Sequence, residues 1–434
     1  MRLETPYKDI PPAEIPDRNL KGVFSPSAHP GRDPQKIIEE AFAHPVGTGS
    51  VETLVRVGDK VLVLVDDGSR LTQASLILPV LFQRLEQAGV SPHDITILIA
   101  YGTHRAMTPR EKVKKLGRDV CAKYRVVDHD WKNPGVLVSL GKTSGGIDIE
   151  VNRLLLEHDV ILAVGQIGPH PLAGWGGGCK MVEPGVCGSA TTHQVHWMGA
   201  LATDEMGNLA GVSADGDFEG PDPNPVRREI EEVGMRAGLK AIFNVIHDAH
   251  GNMAGAVFGH PVKAFRAGVS IARQMLGTVV PRRFDIVFTD SFPADIDMWQ
   301  ANKAIRNADL MTKEGGVIIL VTPCPEGVAS EHPEVEKYGY MALAEVKQKV
   351  ESGELTDLVA AGNLSTVGRI VRQRVRCILV SPGLTCPQAS RLGLIWAPDP
   401  TRAVEMALEM TSPDAEIAVL VHGGEALPVV GGGA

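Results

Sequence analysis

The chain has no excess of positive charge. Its 43 Lys and Arg are outnumbered by 52 Asp and Glu, giving a formal net charge of -9. A nucleic-acid footprint normally needs a basic face, so nucleic acid is not an expected partner. Paired cysteines are also missing. Cys121, Cys179, Cys187, Cys324, Cys377 and Cys386 are scattered, with no C-x-x-C and no zinc-finger spacing. That excludes a disulfide framework and points to free thiols in a reducing compartment. The opening MRLETPYKDIPPAEIP has no apolar core, and no later stretch reaches the length of a membrane span. A cytoplasmic protein without membrane partners is expected. Internal repeats and low-complexity tracts are absent as well.

What is present is a composition 44% hydrophobic and 22% charged over 434 residues, globular and too long for one core. Apolar runs at 60–65, 95–100 and 160–164 read as buried strands, and 73–88 has helical spacing. Thr108, Pro109 and Glu111 have the form of N-cap, N1 and N3 of a helix. This alternation predicts an α/β protein of mostly parallel sheets flanked by helices. Residues 215–225 read as a surface loop. Residues 241–257 read as a hairpin turning at 249–252, with His247 and His250 at the surface. The helical stretch 262–276, closed by Gly277 and Pro281, marks the boundary. It separates a Rossmann-like first domain (1–278) from a second α/β domain (279–425), with the active site in the cleft between them. The extreme C-terminus is expected to return to the first domain. Strands are expected at 285–288, 317–322, 377–381 and 418–421, and a helix from Pro400 whose Met406 and Met410 are core. The tail 431–434 is expected to be disordered.

One segment, GPHPLAGWGGGCKMVEPGVCGSATTHQVHW (168–197), reads as neither a long strand nor a long helix. A linker needs Gly176, Gly177 and Gly178 but has no use for His170, Lys180, His193 and His196. In open α/β sheets ligands bind at the carboxyl ends of strands. Three such ends carry reactive groups: Asp66-Asp67-Gly68-Ser69-Arg70, Gly102-Thr103-His104-Arg105, and this segment. Each also has a plainer reading. Asp66, Asp67 and Ser69 cap the next helix, His104 is a loop histidine, and the glycines form a tight turn. Alternatively, the N–H groups of Gly177 and Gly178 form a nest for an anion such as phosphate. Lys180 lies between Cys179 and Met181, so the Gly-Lys-[Ser/Thr] ending of a P-loop is absent. A lysine in a glycine-rich loop is often a covalent or anion-binding group. His193 and His196 share a helical face, by itself a weak metal signal. Cys179 and Cys187 read as small apolar residues.

Over most of its length the chain resembles the nickel-pincer lactate racemase family of 2-hydroxyacid racemases and epimerases. The likeness is carried by Asp66-Asp67-x-x-Arg70 and by Gly102-Thr103-His104-Arg105 followed by Met107-Thr108. It continues through Pro-His-x-x-Ala-Gly-aromatic-x-Gly-Gly-x-Lys from Pro169 to Lys180, then His196, Asn224-Pro225-Val226-Arg227 and Gln300-x-x-Lys303. The resemblance implies a nickel-pincer nucleotide, pyridinium-3-thioamide-5-thiocarboxylic acid mononucleotide, covalently bound to Lys180. Nickel would be held by its two sulfurs, a ring carbon and His196. His104 and His170 would be the catalytic acid and base, exchanging roles for the two enantiomers. Asp67, Ser69, Arg70, Gly177 and Gly178 would bind the cofactor, and Arg70, Trp299, Gln300 and Lys303 the 2-hydroxy acid. Proteins that build the cofactor are implied partners.

Elementary chemistry asks for the same groups. The Cα–H of a 2-hydroxycarboxylate is a very weak acid, because its loss places a second negative charge beside the carboxylate. Hydride transfer to an electron-poor ring avoids that dianion. It needs a base near pH 7 for the hydroxyl proton, and histidine suits. Imidazole with sulfur suits nickel. Gly176, Cys179 and Trp299 depart from the family pattern of serine, a basic residue and tyrosine. The last change leaves the substrate open among lactate, malate, longer or aromatic hydroxyacids and sugar acids. Two rival readings stand beside this one. In the first, His104, His170 and His196 form the metal triad of a hydrolase or lyase acting on a small hydroxy or sugar acid. In the second, the chain is a non-catalytic binding protein indifferent to loss of His104 and His170.

Overall fold

Residues 61–65 carry no polar side chain, so a strand there has no solvent face to offer. The strands Val61–Asp66, Ile95–Ala100 and Val160–Gln166 are buried at every position, as strands in a sheet covered on both sides must be. The structure is a computed structural model and describes residues 1–26, 31–248 and 250–431. Ala249, in the expected hairpin turn, and residues 432–434 of the tail lie outside the described residues.

Two six-stranded sheets organise the chain. The first runs Met253–Gly259, Leu239–His247, Val160–Gln166, Val61–Asp66, Ile95–Ala100, Arg125–Asp128, and only the Met253–Gly259 edge is antiparallel. The second runs Ile395–Trp396, Arg376–Val380, Thr312–Val321, Phe284–Asp290, Ile417–Leu420, Leu20–Phe24, parallel throughout. Each sheet has apolar cores on both faces. Thr108 and Glu111 form a capping box on the helix Pro109–Leu116. Among the described residues no helix is long and apolar enough to cross a membrane.

Four sequence expectations need correction. The chain start belongs with the second sheet, not the first domain: Leu20–Phe24 pairs with Ile417–Leu420, and Ile10, Ala13 and Ile15 bury against that sheet's core. The strand covers an edge that would otherwise leave its backbone groups unpaired. His247 is buried, not at the surface; the hairpin containing it packs its strand into the sheet interior. The helix Ala74–Gln87 takes no side-chain cap from Asp66, Asp67 or Ser69, since its N-cap is Gln73. Finally, the end of the 168–197 segment opens the 18-residue helix Ser189–Met206. At the other end of the chain, Leu427–Val430 pairs in parallel with Gly277–Val280 beside the domain boundary.

Candidate active site

In the first sheet, Val61–Asp66 and Val160–Gln166 are neighbours from which successive connections depart in opposite directions. Such a switch point opens a crevice at the strands' carboxyl ends. The loops that leave there carry Asp67 and Arg70 from one strand and His170 and Lys180 from the other. Ile95–Ala100, next in the sheet, delivers His104. The second domain presents the helix Met298–Asp309 and the turn at Gly424 and Glu425 to the same cleft. The cleft has a cavity volume of about 150 Å³ and is open to solvent.

His104 Nδ1 donates to Asp67 Oδ2 at 2.6 Å. The carboxylate only accepts, so His104 Nε2 keeps the lone pair. Gln300 Nε2 donates to that nitrogen at 2.9 Å, and Lys303 Nζ donates to Gln300 Oε1 at 2.8 Å. A relay from the second domain thus ends on a basic nitrogen of the first. Asp67 Oδ1 accepts from the backbone N and Oγ of Ser69 at 2.8 and 2.5 Å, and Arg70 Nη1 donates to Ser69 Oγ at 2.9 Å. Burial raises the Asp67 pKa, but His104, Arg70 and these hydrogen bonds outweigh it and hold the carboxyl well below the usual range.

His170 has the opposite tautomer. The backbone N–H groups of Leu172 and Ala173 donate to its Nδ1 at 3.3 and 3.1 Å, so the neutral ring carries its proton on Nε2. Burial, then Lys180, Lys303 and Arg70, push its pKa well down and keep it neutral. The cleft therefore holds one imidazole ready to accept a proton and one ready to donate.

Lys180 sits on the single turn Gly178–Met181. Its Nζ has no hydrogen-bond partner among the described residues. Burial, then the charge of Arg70, lowers its pKa, with Glu183 opposing. An amine so held is nucleophilic. Burial in turn raises the carboxyl of Glu183, which is wholly buried. His196 Nδ1 donates to Thr192 O at 2.9 Å, leaving the Nε2 lone pair outward. Burial and then Lys180 bring this ring down to about 3. A neutral imidazole oriented by a backbone carbonyl is a metal ligand in waiting. These two residues fit a group that is covalently anchored and metal-bearing. Among the described residues no three His, Cys, Asp or Glu side chains stand together as a metal-binding group, so His104, His170 and His196 do not close into a triad.

The glycine run is held in place by close packing. Gly176 N donates to Gly168 O at 2.7 Å and Gly178 N to Asn244 Oδ1 at 2.8 Å, which engages one of the two donors expected to meet an anion. Gly177 and Gly178 have φ of 83° and 62°. A Cβ at Gly177 would lie 2.8 Å from Asn244 Oδ1, and one at Gly178 2.9 Å from the Phe265 ring. The buried guanidinium of Arg227 donates to the carbonyls of Ala173, Trp175 and Gly177 and so clamps the loop from below. Cys179 and Cys187 are fully buried beneath it, as small apolar residues.

Trp299 lines the cleft and stacks on His332, ring centroids 4.1 Å apart. His193 turns away from the site and lies 3.6 Å from Asp357. Sequence reasoning missed several cleft residues. Gln166 bonds Leu71 N through Oε1 and Glu425 through Nε2, both at 2.8 Å. Glu425 and Arg306 also line the space. The only sequence signal for Arg306 was its place three residues after Lys303 on one helix face.

Residues 8–207 match the family model for the lactate racemase N-terminal domain, and residues 279–427 that for the lactate racemase C-terminal domain. Over 335 residues the chain is 28% identical to lactate racemase of Thermoanaerobacterium thermosaccharolyticum and 27% identical to that of Lactiplantibacillus plantarum, covering 76% of this chain and of each relative. The lactate racemase apoprotein structure from T. thermosaccharolyticum superposes with a TM-score of 0.86 at 25% identity, covering 99% of this chain and 100% of that one. A Thermotoga maritima protein shares the fold, with a TM-score of 0.70 at 21% identity over 93% of this chain and 100% of that one.

Proposed function

The chain belongs to the lactate racemase family, and from that premise we propose that it inverts C2 of a 2-hydroxy acid, using a nickel-pincer nucleotide attached to Lys180. The observation that carries this reading is the pair of histidines His104 and His170, with oppositely engaged Nδ1 atoms, lining one cleft with an unbonded lysine. Lys180 would hold the cofactor covalently, His196 would ligate nickel, and Arg70 would neutralise an anion. The chemistry the group supplies when bound is that of a reversible hydride acceptor.

The protein's own residues do the rest. Lys303, Gln300 and Arg70 bind the carboxylate and orient C2. The substrate hydroxyl displaces the Gln300 N–H from His104 Nε2, which takes the hydroxyl proton. Asp67 stabilises the resulting imidazolium through Nδ1. His170 Nε2–H donates to the substrate oxygen from its own side. For the other enantiomer the roles exchange, and His170 becomes a base only by moving its proton to Nδ1 and releasing the amides of Leu172 and Ala173. Trp299 borders the substrate and limits its size.

The test is intact and peptide mass spectrometry with metal analysis, on protein made beside the cofactor-building enzymes. The expected result is a mass increase on the Lys180 peptide with near-stoichiometric nickel, together with interconversion of 2-hydroxy acid enantiomers. An unmodified Lys180 in an active protein would overturn the proposal.

A further inference from the structure

Arg306 has no counter-charge. It is 5% exposed, lines the cleft, and forms no ion pair among the described residues. Its Nε donates to Asn302 Oδ1 at 3.2 Å, while its two terminal nitrogens have no hydrogen-bond partner among the described residues. Burial lowers its pKa to about 10, which still leaves it charged at neutral pH. A guanidinium cannot escape burial by losing its proton, so the fold carries an isolated buried charge, an arrangement proteins avoid unless a ligand completes it. The other acid of the cleft, Glu425, does not complete it: Glu425 accepts from Gln166 Nε2, and its nearby cations are Lys303 and Arg70.

Gln300, Lys303 and Arg306 stand at successive i, i+3 positions on the helix Met298–Asp309. Their Cβ atoms are therefore about 5–6 Å apart from one turn to the next. Lys303 and Gln300 are the groups assigned above to the C1 carboxylate. One turn further on, Arg306 offers a planar fork of donors, the shape that pairs two-on-two with a carboxylate.

We propose that Arg306 is a second anion subsite, and that the substrate is a short 2-hydroxy acid bearing a distal carboxylate. This rests on the racemase reading and narrows it. A hydroxy diacid spans the two cations along the helix, whereas a monocarboxylate such as lactate leaves Arg306 without a counter-ion. The same fork also suits the phosphate of a bound nucleotide, and the test separates the two sources.

Holoenzyme, wild type, Arg306→Gln and Arg306→Lys, is assayed with malate and with lactate. Calorimetry on the same proteins uses succinate, which has no hydroxyl to react. The expected result is a wild-type preference for malate that falls about 30-fold in Arg306→Gln, chiefly through KM, with a parallel loss of succinate affinity. Arg306→Lys keeps the charge but not the fork and falls between. If Arg306→Gln fails to fold, the Arg306→Lys series decides on the same two readouts. Two outcomes overturn the proposal: an unchanged malate-to-lactate ratio with unchanged succinate binding, or reduced Lys180 adduct occupancy with an unchanged ratio, which would give Arg306 to the cofactor phosphate. Failure of the racemase reading looks different. Neither acid would then turn over in wild-type enzyme carrying the adduct, while succinate binding would still report on Arg306.

Discussion

At the scale of single residues, the chemistry follows from which nitrogen of each histidine is already engaged. Asp67 accepts a hydrogen bond from Nδ1 of His104, backbone amides donate to Nδ1 of His170, and a helix carbonyl accepts from Nδ1 of His196. Three like residues thereby expose the same nitrogen, Nε2, as a lone pair in His104 and His196 and as an N–H in His170: a base, a ligand and an acid. His104→Ala and His170→Ala should each reduce turnover about 10³-fold, the scale of a lost general acid or base, with nickel content and Lys180 mass unchanged. His196→Ala should instead lose nickel, as read by metal analysis, while the Lys180 adduct stays. Full activity in either catalytic-pair variant would refute the assignment.

At the scale of elements, the end of the loop from Gly176 to Lys180 is held by constraints that come from outside it. Positive φ at Gly177 and Gly178, close approach of Asn244 and Phe265, and the clamp of Arg227 determine where Lys180 emerges. Gly178→Ala combines a disfavoured backbone conformation with a Cβ pressed on the Phe265 ring. It should destabilise the fold by about 2–4 kcal/mol in denaturant unfolding. The helix Met298–Asp309 is positioned by Asp297, whose carboxylate caps Gln300 N at 2.8 Å. That cap sets the rotation by which Gln300, Lys303 and Arg306 enter the cleft.

At the scale of the whole molecule, the site is complete only where the two domains meet. Gln300 reaches His104 across the cleft, and Arg105 pairs with Glu326 at its rim at 2.7 Å. Gln300→Ala should raise KM about tenfold with a smaller change in kcat, the cost of one hydrogen bond to a charged group; an unchanged KM would count against domain apposition. Stability should also depend on pH through buried histidines outside the cleft. Burial lowers His129 and His247 to about 4. His129 is locked neutral, Nε2 donating to Cys187 O and Nδ1 accepting from Asn152. Folded values below the unfolded value of about 6.5 mean that this stability is present above that pH. It is lost as the pH falls toward 4, by about 3 kcal/mol per histidine at most. Thermal unfolding should therefore show a falling midpoint between those limits, less steep in His129→Gln.

What the sequence by itself determined is the part governed by local patterning. Unbroken apolar runs specify parallel strands covered on both faces, Thr108 and Glu111 specify a helix start, and strand ends rich in Asp, His and Lys specify where chemistry is carried. The motif likeness around Lys180 was equally legible, because its spacings survive in one dimension. Only the tertiary structure decided the rest. It sent Leu20–Phe24 to the far sheet, because an open edge is filled by whichever strand reaches it. It engaged the Gly178 amide with Asn244, and buried His247 where a surface residue was expected. It left Arg306 without a counter-charge in the cleft. These are contacts between residues distant along the chain, and their energies depend on burial and partner geometry that no spacing in the sequence encodes.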